Sequence, residues 1–210
     1  MLLDSEPLYA QAESDIIGDH GDVHTITPKL LGRTPRDSAR IVIDSFHLPM
    51  SVDEYLSRRN ERLLEILPAC ELLEGAEDIV NCFAKHNVKM SIATSSPRPL
   101  LELKMKVHPK LFEPFKGKVV CTDDVEHGKP HPDIFLKAAE LMKSSPANCI
   151  VFEDSPAGIK GARMAQMRCI AIANKTVSDE EYKSVGADFV LHSWKEYDPL
   201  RLEVDLPKLP

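Results

Sequence analysis

From Val88 onward, short apolar runs alternate with stretches of helical periodicity, and no other feature of the chain limits its fold as strongly. The runs are 88–96 (VKMSIATSS), 117–121 (GKVVC), 148–154 (NCIVFED), 168–173 (RCIAIA) and 187–191 (ADFVL). All but the first are nearly continuous in apolar residues over their centres, and all five read as strands buried on both faces. Between them, 132–143 (PDIFLKAAELMK) and 156–166 (PAGIKGARMAQ) read as helices. The repeat predicts an α/β fold built on an open parallel sheet with right-handed crossovers.

Residues 10–74 break this pattern, with no comparable strand runs. Pro35 stands near the start of a helix with Ala39, Val42, Ile43 and Phe46 along one side, and 51–67 places Tyr55, Leu56, Leu63, Ile66 and Leu67 at mostly helical spacing. We therefore expect an all-α domain over 10–74, inserted into an α/β core made of 1–9 and 75–210. The first helix after the chain returns spans 75–86. The Pro-rich tail DPLRLEVDLPKLP is not expected to be helical.

A chain of 210 residues with 43% apolar and 28% charged residues can bury one sizeable core plus a small second domain. Its net charge of -7 argues against nucleic acid as a partner, because that affinity rests on clustered Lys and Arg. There is no run of about 18 apolar residues and no basic-then-apolar leader, so we expect no membrane association and a cytoplasmic location. Cys70, Cys82, Cys121, Cys149 and Cys169 lack metal-site spacing and read as reduced, mostly buried thiols.

In an open parallel sheet ligands bind beyond the carboxyl ends of the strands. The first run ends in Thr94, Ser95 and Ser96, whose hydroxyls and N–H groups suit a phosphate or, equally, a helix cap. The second leads into HGKPHPD, where Gly128 and Pro130 flank Lys129, a candidate to neutralise a phosphate or carboxylates and otherwise a solvated charge. The third ends in Glu153 and Asp154, hard oxygen ligands that suit Mg²⁺; capping by Asp154 or Ser155 is the alternative. Jointly, hydroxyls, an ammonium and paired carboxylates on one sheet edge point to metal-assisted phosphoryl chemistry.

In this order, ATSS, GKPHPDIF and VFEDSPAGI resemble motifs two to four of the haloacid dehalogenase-like superfamily, in its phosphatase branch, and LLDSEPLY resembles the close of the first motif. The segment from Leu111 to Met142 is most similar to pseudouridine-5′-phosphatase-like and glycerol-phosphatase-like members. The resemblance implies a Rossmann-like core with a helical cap, and a Mg²⁺-dependent phosphomonoesterase of a small phosphorylated metabolite. It further implies that Thr94, Ser95, Ser96 and Lys129 hold the phosphoryl group, with Thr94 and Lys129 counted among the catalytic groups. Glu153 and Asp154 would hold Mg²⁺ directly or through water. The cap loop makes Arg33, Thr34 and Ser38 candidates for contacts to the leaving group.

The family's first motif also carries an Asp-x-Asp pair, nucleophile and acid/base, ahead of the position that Met1 holds here. That pair is absent, and with it the strand that occupies the centre of the family's sheet. We expect an N-terminally truncated phosphatase, without turnover as written and with unpaired edges on the two flanking strands. A pseudoenzyme that binds phosphate and a phosphosugar mutase are the alternatives. Asp4 is expected to point away from the phosphate and to cap the following helix, and neither it nor Glu6 is expected to replace the nucleophile. Gln166 stands where the family has a helix-closing glycine, and Glu74 where proline is common at the hinge. Asp19, His20, Asp22 and His24 are read as a flexible cap loop rather than a metal site.

Overall fold

The computed structural model describes residues 1–30 and 34–198; Arg33 and the tail 199–210 lie outside them. After β1 (Leu3–Asp4), the chain enters α1 (Glu6–Ile17), α2 (Thr27–Leu30), α3 (Pro35–Phe46) and α4 (Val52–Ile66). It returns through β2 (Glu71–Leu72) and α5 (Ala76–Lys85) to β3 (Ile92–Thr94). Then follow α6 (Arg98–Val107), α7 (Pro109–Phe112), β4 (Val119–Cys121), α8 (Asp133–Leu141), β5 (Ile150–Glu153), α9 (Pro156–Met164), β6 (Arg168–Ile172), α10 (Asp179–Ser184) and β7 (Phe189–Leu191).

Local chemistry sets the helix starts. The Thr34, Ser51 and Ser155 hydroxyls accept from the N–H groups of Asp37, Glu54 and Gly158 at α3, α4 and α9, and Pro follows at the first position of α3 and α9. The start of α1 corrects an expectation: Asp4 does not cap it. The N-cap residue is Ser5, without a side-chain cap bond, and Asp4 is exposed in β1. Asp4 pairs there with Glu71, and Leu3 with Leu72, in a short antiparallel ribbon that ties together the two crossings between helical cap and core.

The helices α1 to α4 enclose their own cluster, including Ile17, Val23, Ala39, Val42 and Tyr55, all fully buried. In the core, β3 pairs in parallel with β4, while β5, β6 and β7 form a second parallel sheet. Among the described residues, β3 and β5 are each paired on one side only. Burial on both faces, expected of every strand, therefore holds well for β6 and for Val120 and Cys121 of β4 but not for β3, β5 or β7. Residues 92–94 and 150–152 are half-buried, because their open edges border a cleft between the two sheets.

All five cysteines are free, and four are buried. No three of Asp19, His20, Asp22 and His24 converge on one point; Asp22 caps a 3₁₀ turn by accepting from His24 N–H. Glu74 pairs with Lys195 beside the hinge.

Gln166 closes α9 in the left-handed region, with φ of 59°. A side chain is disfavoured there and glycine is not. Gln166→Gly should raise stability by about 1 kcal/mol, an increase in Tm of roughly 2–4 °C for a chain of this size. A thermal scan showing no rise would mean that the Gln166 side chain offsets the backbone cost.

Candidate active site

The carboxyl ends of β3 and β5 meet at Lys129. Its Nζ donates to Glu153 Oε2 at 2.9 Å and to the Ala93 carbonyl at 3.4 Å. Both side chains of the ion pair are only 7% exposed, and Lys129 also stands 5.2 Å from the Phe135 ring centre. Glu153 is held from its other side by the Ser155 hydroxyl, which donates to Oε1 at 2.7 Å and itself accepts from Gly158 N–H. Gly158 is a steric requirement: a Cβ there would lie 2.1 Å from the Glu153 carboxyl carbon. The spacing EDSPAG thus locks one carboxylate against one ammonium.

Asp154 behaves differently. Its side chain is 43% exposed and its Oδ2 lies 3.4 Å from the Met1 amine. Desolvation pulls this carboxyl upward, but the Met1 and Lys129 ammonium groups outweigh it and hold Asp154 below the usual carboxylate range. Its backbone carbonyl accepts from Tyr182 OH at 2.8 Å and from Asn174 Nδ2 at 3.0 Å. Burial pushes the Tyr182 hydroxyl up to about 12, so it stays a donor at neutral pH.

Thr94, Ser95, Ser96, Lys129, Glu153 and Asp154 all line one cavity of about 1260 Å³. Thr94 Oγ1 accepts from Ser96 N–H at 3.1 Å. The Ser96 hydroxyl is itself engaged, accepting from Lys104 Nζ at 3.1 Å. Of the cap candidates, Ser38 lines the cavity. Thr34 does not; its methyl packs against Gly128, where a Cβ would stand 2.9 Å away, so it braces the cap against the Lys129 loop. Arg33 lies outside the described residues.

Several groups on the cavity wall carry no local sequence signal. Buried Lys104, on α6, bonds the Tyr9 and Ser96 hydroxyls. In the cap, Arg59 (4% exposed) stands 3.8 Å from Glu13, and Arg59 Nε has no hydrogen-bond partner. Burial raises the Glu13 carboxyl, with Arg59 opposing. Their helical positions fit a core face as well as a site, and only the packing of α1 against α4 turns them inward. Glu6 also reaches the wall, its carboxyl raised by burial and by the neighbouring Asp154.

Parallel strands that present an ammonium, a hydroxyl and two acids beneath a helical cap define the hydrolases of the haloacid dehalogenase type. Residues 2–166 match the family described as haloacid dehalogenase-like hydrolase, and the chain belongs to it. It is 34% identical over 205 residues to the probable pseudouridine-5'-phosphatase of Drosophila melanogaster, covering 95% of this chain and 88% of that one. To (DL)-glycerol-3-phosphatase 2 of Arabidopsis thaliana it is 29% identical over 208 residues, covering 95% and 85%. Among solved structures, a HAD hydrolase of family IA, variant 3, from Entamoeba histolytica superposes with a TM-score of 0.79 at 25% identity, covering 96% of this chain and 92% of that one. Among the described residues, no helix is long and apolar enough to cross a membrane.

The buried ion pair sets a stability test. Lys129→Met alone strands the Glu153 carboxylate and should cost about 3–5 kcal/mol, whereas Lys129→Met combined with Glu153→Gln should recover most of that loss. Denaturant unfolding of the two variants decides it, and equal losses would show that the pair is not the unit that matters.

Proposed function

We propose that this cavity is the phosphate-ester site of a Mg²⁺-dependent phosphomonoesterase for a small phosphorylated metabolite, and that these 210 residues by themselves have negligible turnover. The convergence of Thr94, Lys129 and Asp154 at the carboxyl ends of β3 and β5, beneath a polar cap wall, carries this reading. The two relatives are named as phosphatases of small polar phosphomonoesters.

In this scheme the Thr94 hydroxyl and the N–H groups that follow it hold phosphoryl oxygens, and Lys129 offsets their charge. The donor set fits Mg²⁺ through Asp154, whose carboxylate is partly exposed in the cavity, while both Glu153 oxygens are already engaged. Glu153 then serves to aim Lys129, and reaches the ion only through water. Bound there, Mg²⁺ would offset charge on the phosphoryl group. Ser38, Arg59 and Glu13 face the leaving group, with Arg59 as donor and Glu13 as acceptor for hydroxyl or amide edges.

The chemistry of this family needs a carboxylate that attacks phosphorus as the ester P–O bond breaks and the alcohol leaves, after which water cleaves the acyl phosphate to orthophosphate. No Asp-x-Asp pair occurs in these residues. Asp4 is exposed and off the cavity wall. Loss of a nucleophile costs on the order of 10⁶ in turnover in a serine protease, and a comparable loss is expected here.

With Mg²⁺ and an aryl phosphate, the purified chain should show no hydrolysis above background, yet calorimetry should detect orthophosphate binding. The Lys129→Met/Glu153→Gln double variant should bind orthophosphate about tenfold more weakly or worse, as expected for loss of one charge-assisted hydrogen bond. Ordinary turnover abolished by Asp4→Asn would overturn the proposal, and so would unchanged orthophosphate affinity in the double variant.

A further inference from the structure

The loop that delivers Lys129 carries two histidines that the proposed phosphate site leaves unused. Lys129 is buried against Glu153, whereas His127 and His131, placed symmetrically on either side of it in the chain, are exposed. Asp133, half-buried in the first turn of α8, joins them. The ligand atoms that these three residues offer all lie within 4.8 Å of one another. His127 Nδ1 is 3.0 Å from Asp133 Oδ2, and the two imidazole rings are stacked, with centres 4.7 Å apart and planes at 28°.

The backbone beneath this cluster is held by contacts of its own. His131 N–H donates to the Gly128 carbonyl at 3.0 Å, and His127 N–H donates to Asp133 Oδ2 at 3.3 Å. Thr34 of the cap abuts Gly128, and a Cβ at Gly161 of α9 would lie 3.1 Å from the carbonyls of both Pro130 and His131, so the loop is pressed between its neighbours. Pro130 and Pro132 fix φ on both sides of His131. The fold has therefore already ordered the chain, and only side-chain rotation is left for a ligand to impose. Ligand atoms about 2.1 Å from a common ion stand no more than about 4 Å apart, so the widest spacing here has to close by about 1 Å at most.

We propose that His127, His131 and Asp133 form a surface site for a late first-row divalent transition-metal ion such as Zn²⁺, separate from the cation site at Asp154. Two imidazole nitrogens with one carboxylate oxygen are a donor set for ions of this class, whereas Mg²⁺ takes oxygen ligands and keeps its waters. The ion takes the place of the proton that His127 and Asp133 share, and water completes its coordination. Bound there, it ties together the two ends of the loop 127–133 and so steadies the segment from which Lys129 reaches Glu153. The site stands independently of the phosphatase reading, since none of its three ligands belongs to the phosphate pocket.

The test titrates the whole chain, free of any histidine tag, with Co²⁺, which shares ligand preferences with Zn²⁺ and reports its coordination by visible absorption. Ligand-field bands should grow in without a thiolate-to-cobalt charge-transfer band, and added Zn²⁺ should remove them. His127→Gln and His131→Gln should each weaken Co²⁺ binding about tenfold or more, because loss of even a group behind a ligand costs about that much. His20→Gln, at an exposed histidine of the cap, should leave binding unchanged. An excess of Mg²⁺ should leave the bands in place. Absence of the bands, a charge-transfer band that marks a cysteine ligand, or displacement by Mg²⁺ would each overturn the site. Undiminished binding in His131→Gln would overturn it as well, by reducing the cluster to the ion pair of His127 with Asp133. Both histidines are exposed, so the variants should keep the circular dichroism of the parent chain. Hydrolysis of an aryl phosphate is measured separately, and its absence bears on the phosphatase reading alone.

Discussion

The ion pair between Lys129 and Glu153 organises the core. It joins the two parallel sheets at the carboxyl ends of β3 and β5, since Lys129 also reaches the Ala93 carbonyl of β3. Two charges this deeply buried are tolerated only because each remaining polar valence is met: Ser155 bonds the second carboxylate oxygen and Phe135 faces the ammonium. Gly158 leaves room for the carboxylate, and the Ser155 cap that fixes the acid also starts α9. Fold and site thus share the same few atoms.

Because that pair consumes Glu153, the adjacent acids divide their work. Glu153 is held within the buried pair, while Asp154 stays partly exposed, its backbone carbonyl accepting from Tyr182 of α10 and from Asn174 just after β6. The cap adds a second polar wall. Arg59 is buried beside Glu13 with its Nε unpartnered, an expensive arrangement for a cap that served packing alone. A ligand with polar edges would satisfy that Nε.

Much of this was legible in the sequence. The extent of α3 matches its residues closely, because Thr34, Pro35 and the apolar spacing act within the helix itself. Thr94, Lys129, Glu153 and Asp154 were legible because strand ends in a parallel sheet converge by topology. The four-residue β5 is shorter than the apolar run predicted it, and β3 shorter still, because a strand needs neighbours to extend. The cap on α1 was misjudged for a related reason: Asp4 is drawn into pairing with Glu71, across 67 residues of chain that the local signal does not contain.

By itself the sequence determined the alternation of strands and helices after residue 88, the extent of α3 and the identity of the groups at the strand ends, all of which follow from residues a few positions apart. Tertiary structure alone decided which of the two acids remains accessible, and that Lys104, Arg59 and Glu13 join the same cavity. Those outcomes depend on partners far apart in the chain, whose meeting is set by packing and by the need to satisfy buried polar groups rather than by local propensity.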